Sequence, residues 1–181
     1  MVNKNVLSAI LAGIIPPDSV RLYTQNSMNK LTHSLAILSS TLWVGGLWVI
    51  GYLAVPILFY AQPDRQLAGN LAGKMFETLG LVGIVCGVAL LIFRWFVVGK
   101  QVLRDRQVHI VVAMLSITML TLFYIQPLMA GMKQQALPLD VMQSVFAPQF
   151  KLWHGISSVL YLVESLLGAW LVVRSFSTSS K

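Results

Sequence analysis

Few residues in this chain have side chains that could do chemistry, and they fall into two groups. The first lies near the C-terminus. Successive residues of a helix turn by about 100°, which puts His154, Ser157, Ser158, Tyr161, Ser165 and Gly168 on one stripe, with Glu164 at its edge. An acid among hydroxyls and an imidazole can hold a proton, bind a cation or hydrogen-bond a small solute. The second group is the histidines His33, His109 and His154. Imidazoles on two facing helices can ligate a haem iron axially or contribute to a copper site. His33 and His109 could form such a pair. His154 falls near the opposite end of its segment, roughly 20–25 Å away at ~1.5 Å rise per residue, so a three-histidine metal site is disfavoured. The plainer role for each histidine is a hydrogen bond between helices. No GxSxG, Walker-A or GxGxxG pattern occurs. The single cysteine, Cys86, lies in an apolar run and reads as packing, not as a nucleophile.

The elements that must position these residues are set by composition. Charged residues are 10% and hydrophobic residues 56% of the 181-residue chain, and mean hydropathy is +0.74. A disordered chain needs the opposite balance, and a water-soluble domain carries roughly 25% charge. Four long runs are almost free of charge: Leu31 to Gln62, Thr78 to Gly99 with Arg94 inside it, Gln107 to Met132, and Leu152 to Val173 with only Glu164 inside it. Each reaches the ~20 residues a membrane helix needs, provided Arg94 extends its charge to the interface. The alternation of a β-barrel is absent. The expected fold is all-α, an integral membrane four-helix bundle with short interfacial helices. Residues 1–30 are expected to form an interfacial helix or arm, 31–174 the four-span domain, and 175–181 a cytoplasmic tail. Val6 to Ile15 is too short to span and has no clear cleavage site after it, which favours the arm over a signal segment. Leu67, Leu71 and Met75 predict an interfacial helix between Ala61 and Leu79, and Val141, Val145 and Phe146 a short surface helix between Lys133 and Lys151.

The net charge of +7 would suggest nucleic acid in a soluble protein. Four spans give it another meaning. One side carries Lys4, Arg21, Lys30, Arg94, Lys100, Arg104, Arg106, Arg174 and Lys181, and the other only Arg65, Lys74, Lys133 and Lys151. Basic residues concentrate on the cytoplasmic side, so both termini are expected to be cytoplasmic, in a bacterial inner membrane. The Arg104-Asp105-Arg106 cluster reads as a topology anchor, and no nucleic-acid partner is needed.

Packing in lipid relies on small residues. Span one offers Gly45, Gly46 and Gly51, and span two a GxxxG pair, Gly83 and Gly87. Trp95 and Trp153 fit interfacial belts, while Trp43 and Trp48 lie deeper and read as core. Pro56 and Pro127 fall near the same ends of spans one and three, an echo that reads as chance. Glu164 is about ten residues from either end of span four. A charged carboxylate there costs roughly 2.5–3.5 kcal/mol on insertion scales, so it must be protonated or paired, with the histidines, Arg94 or a hydroxyl such as Tyr161 as candidates.

Two stretches carry a resemblance. His33 through Trp43, Gly45 and Gly46 to Pro56, and Phe150-Lys-Leu-Trp-His154-Gly155-Ile-Ser157-Ser158, resemble the transmembrane-protein-205-like family, a bacterial four-helix membrane domain of unknown function. The likeness covers about Lys30 to Val173. That family is distantly similar to copper-resistance D-like proteins and to haem-binding protoporphyrinogen oxidase membrane proteins, which implies haem b or copper as candidate cofactors. His109 and Glu164 lie outside the resembling motifs. The leading expectation is a non-enzymatic protein binding or moving a small solute or metal ion at a polar intrabundle site of His33, His154, Ser157, Ser158, Tyr161 and Glu164. The alternatives are a haem-b redox protein using His33 and His109, and an accessory subunit, in a homo-oligomer or larger membrane complex, docked through the glycine-rich faces of spans one and two. Trp43, Gly45, Gly46, Pro56, Gly83, Gly87 and Gly155 are the expected packing motif.

Overall fold

The computed structural model describes residues 17–178, with side chains for 30–174 apart from Lys100 and Leu103. The expectation for Val6 to Ile15 lies outside the described residues. Among the described residues six α-helices follow in order: α1 (Pro17–Val49), α2 (Val55–Ala61), α3 (Arg65–Val98), α4 (Arg106–Leu120), α5 (Gln126–Ala136) and α6 (Ala147–Thr178). Wider π turns, Ile50–Ala54 and Thr121–Ile125, join α1 to α2 and α4 to α5, so six helices make four continuous rods. Each rod is long and apolar enough to cross a membrane: Lys30–Ala61, Arg65–Val98, Arg106–Ala136 and Ala147–Arg174. The chain is a multi-pass, all-α membrane protein, as its composition requires.

Local chemistry sets the ends. Asp64 caps α3, its carboxylate accepting from the Gln66 and Leu67 N–H groups at 2.9 and 3.0 Å. Span two closes at Gly99, whose φ of +60° suits a residue without Cβ. Asp105 then caps α4 by accepting from Gln107 N–H at 2.8 Å. Its other oxygen pairs with Arg94. Arg94 is therefore neutralised by the next helix's cap, where the sequence suggested an extended side chain or a pairing with Glu164.

The two π turns share a cause. Pro56 and Pro127 each follow at the second residue of the next helix. A proline has no N–H to donate and its ring collides with the carbonyl four residues back. Those carbonyls belong to Tyr52 and Phe123, inside the π turns. Widening the turn by one residue makes room for the ring while the rod stays continuous. The proline echo thus has the same local geometry in both spans.

Spans one, two, three and four pack around a closed ring, with one and three on one diagonal and two and four on the other. The core is Trp43, Val44 and Leu47 from span one, Leu79, Cys86 and Leu90 from span two, Ile110, Val111, Met114 and Leu115 from span three, and Leu171 from span four. Many large apolar side chains, such as Leu38, Val85 and Phe96, face outward, where lipid accepts them. A smaller cluster of Met132, Ala136 and Val141 closes the end opposite the basic loop, and Val141 lies in a short 3-10 turn, Val141–Gln143, within the expected surface segment. No separate interfacial helix forms between Ala61 and Leu79. Ala68 and Ala72 are buried there while Leu67 and Leu71 face outward, so α3 enters the bundle from its first turns. Helix also precedes Leu31, since α1 runs from Pro17.

Candidate functional site

Glu164 lies inside the bundle at 4% exposure. Thr118 of span three lies 2.7 Å from its Oε1. The second partner is the Trp43 side chain of span one, an indole that can only donate. Trp43 is itself fully buried, and its seat is the GxxxG pair of span two. A Cβ on Gly83 would stand 2.5 Å from Trp43 Nε1, and one on Gly87 2.9 Å from Trp43 Cζ3. Four spans therefore meet at one carboxyl: span four supplies the acid, spans three and one the partners, and span two the flat surface that admits the indole.

The hydrogen count at this site is informative. Thr118 has one hydroxyl hydrogen and two acceptors in reach, Glu164 Oε1 at 2.7 Å and the Met114 carbonyl at 3.0 Å. Only one can receive that hydrogen. Both contacts become hydrogen bonds when the carboxyl carries a proton and donates it to Thr118, whose own hydrogen then goes to Met114. In the ionised form the Thr118 hydrogen goes to the carboxylate instead and the Met114 carbonyl keeps its helix bond, so with Trp43 donating to the carboxyl the contacts accommodate either form.

Tyr161 occupies a second polar junction one turn away. Its hydroxyl donates to the Leu47 carbonyl and accepts from the Gly51 N–H. Those two groups are i and i+4 partners in an α-helix, so the phenol is inserted into the ladder of span one where the π turn begins. Gly51 must lack a side chain, because a Cβ would overlap the Tyr161 ring. Ser165 is buried and donates to the Tyr161 carbonyl at 2.8 Å. Gly168 packs against Val44 and Met114.

The expected stripe is therefore split. Tyr161, Glu164, Ser165 and Gly168 face the bundle. His154 and Ser158 are exposed and Ser157 is half-buried. The Ser158 hydroxyl donates to the His154 carbonyl at 2.8 Å, and the His154 ring stacks on Phe150 with centroids 6.1 Å apart. His33 and His109 are also exposed, on the diagonal pair of spans, and His109 Nδ1 lies 2.8 Å from the Asp105 carbonyl. The histidines do not line the interior with Glu164. Among the described residues no group of three or more His, Cys, Asp and Glu stands close enough to hold a metal ion. Gly45 and Gly155 were expected to pack, yet each faces outward with open space beside its Cβ position, whereas Gly46 meets Leu79. Pro56 is exposed and acts through the π turn. Trp48 was expected in the core and is 47% exposed.

Sequence reasoning missed Thr118 and the role of Trp43. A usable signal was depth. Trp43, Thr118 and Glu164 each sit roughly 10–13 residues from the basic ends of their spans, about 15–20 Å at 1.5 Å per residue, so they share a level.

A family model described as a domain of unknown function (DUF4149) matches residues 38–138. That stretch includes Trp43, Gly83, Gly87 and Thr118 and stops before span four. No curated protein and no solved structure matches the chain.

Proposed function

The chain belongs to the DUF4149 family of uncharacterised domains, and on that premise we propose that its bundle binds or moves a small solute at an interior site centred on Glu164. One observation carries this reading: the buried carboxyl is held jointly by Thr118 and Trp43, at a depth where charge is costly. Bare charge there costs roughly 2.5–3.5 kcal/mol. The resting carboxyl is therefore neutral, with the proton shared toward Thr118. It gives that proton up when a positive solute arrives to replace it, so the site trades a proton for a cation. Trp43 and Thr118 orient the acid, and the Thr118 hydrogen turns from Met114 to the carboxylate when the proton leaves.

The solute is organic and not a metal ion in this reading, since a single carboxyl without clustered imidazoles is a poor metal site. The Trp43-to-Pro56 and Phe150-to-Ser158 motifs support kinship with the transmembrane-protein-205-like proteins. The basic loop between spans two and three supports a bacterial inner membrane with cytoplasmic termini.

Dicyclohexylcarbodiimide tests the central claim, because it modifies protonated carboxyls in apolar surroundings. Peptide mass analysis of the treated, folded protein should find the adduct on Glu164, and Glu164→Gln should abolish it. Folded protein that stays unmodified at Glu164 while the reagent labels a control intramembrane acid would refute the reading.

A further inference from the structure

Beside the buried acid runs a chain of aromatic rings that leads outward. Trp48 and Tyr52 stand one turn apart on span one with centroids 5.4 Å apart. Tyr52 meets Tyr161 of span four at 6.1 Å, and Tyr161 meets Phe76 of span two edge-on at 5.2 Å. Exposure falls along this run. Trp48 and Tyr52 are 47% and 45% exposed, Tyr161 is half-buried, and Glu164, one helical turn beyond Tyr161, is 4% exposed. Tyr161 lies close enough to interact electrostatically with both Tyr52 and Glu164.

Other aromatics also face lipid, such as Phe123 and Trp170, but Trp48 and Tyr52 are linked ring to ring to Tyr161 beside the buried acid. Core packing would bury Trp48 and Tyr52. An interfacial belt would put them at a span end, yet Trp48 lies within about 5 Å of the middle of Lys30–Ala61 at ~1.5 Å per residue. Indole and phenol faces at that depth carry negative charge density toward lipid and attract cations. A small hydrated ion would not leave water to reach them. A cation whose charge is shielded by hydrophobic groups partitions into lipid and arrives from that side. One carboxyl balances one positive charge.

We propose that the Trp48–Tyr52–Tyr161 run is a lipid-side entrance for a hydrophobic monovalent organic cation, of the quaternary phosphonium or ammonium class, which is taken up in exchange for the Glu164 proton. The inference rests on the proton-trading reading of Glu164 and adds the solute class and its route. One cation enters, one proton leaves for water, the carboxyl becomes a carboxylate, and no electron is transferred. Thr118 turns its hydrogen from the Met114 carbonyl to the new carboxylate, so the charged form keeps two donors. Other titratable groups facing the site are the phenols of Tyr161 and Tyr52.

Tetraphenylphosphonium is the probe. The purified full chain in detergent is titrated by equilibrium dialysis, with a pH indicator in weakly buffered solution. Saturable binding with about one proton released per cation is expected. Glu164→Gln should weaken binding at least tenfold and release no proton. Trp48→Leu and Tyr52→Leu, which alter exposed positions and leave the core intact, should each weaken binding several-fold. Equal binding to wild type and Glu164→Gln overturns the proposal, as does uptake without proton release. So does equal competition by neutral triphenylphosphine oxide, which would reduce the rings to a greasy surface. Carbodiimide labelling of Glu164 without phosphonium binding overturns this inference alone and leaves the acid's role standing.

Discussion

Trp43 lies against Gly83 so closely that a methyl group at position 83 would stand 2.5 Å from the indole nitrogen. Spans one and two approach through this contact, and through it the indole reaches Glu164. The glycine pair is thus a seat for one ring, not a general small-residue surface.

Gly83→Ala and Gly87→Ala should each destabilise the protein by about 1–3 kcal/mol, the usual cost of overpacking. Gly45→Ala should be nearly neutral, because nothing stands within 4 Å of its Cβ position. Cys86 is buried and is the only cysteine, so its reaction with a fluorogenic maleimide during a temperature ramp reports unfolding. Equal midpoints for the three variants would contradict the assignment.

Thr118→Val removes one partner of Glu164 and should cost about 1–3 kcal/mol, the penalty for an unsatisfied buried polar group. Adding Glu164→Leu removes the orphaned acid as well. The double variant should lose less than the sum of the two single losses, because the residues are in contact. Strict additivity in the same thermal assay would mean that the hydrogen bond is absent.

Tyr161→Phe keeps the ring and deletes the hydroxyl between Leu47 and Gly51. Stability should fall by about 0.5–1.5 kcal/mol, a typical hydrogen-bond contribution. Amide exchange, followed by mass spectrometry over residues 47–56, should also change at Gly51. An unchanged exchange pattern would indicate that span one does not depend on the phenol.

Asp105 both caps α4 and pairs with Arg94. Asp105→Asn keeps a capping side chain and loses the ion pair, while Asp105→Ala loses both. The alanine variant should be less stable than the asparagine variant by about 1 kcal/mol, the usual worth of a cap. Similar stability of the two would assign the whole contribution to the ion pair.

The four spans were legible because lipid imposes a length and excludes charge, and each run was long enough and held at most one charged residue. Glu164 was legible for the same reason, as the one acid deep inside a span. Its partners were not, because a wheel drawn on span four shows which way Glu164 points but not which residue of another helix rotates to meet it. The stripe failed at His154 and Ser158 for a related reason. At that end span four packs Phe150 and Trp153 against Met132, Ala136 and Val141, and the polar groups on its other face satisfy themselves on their own helix or on Phe150. The histidines drew attention by type, yet their positions near span ends kept them at the periphery.

The paired π turns have a consequence for how spans one and three read as patterns. Each turn contains one residue more than an α-helix needs, so the side chains beyond it are offset by about 100° in phase from those before it. A single wheel drawn through either span mixes two faces. Trp43, Val44 and Leu47 belong to one register and Tyr52 onward to another. Lys133, which donates to the Gly69 carbonyl at 3.0 Å, reaches span two only in the second register of span three. Deleting one residue from Thr121–Ile125 would leave Thr118 beside Glu164 and swing Lys133 away from Gly69, separating the half of the bundle that holds the acid from the half that closes the opposite end.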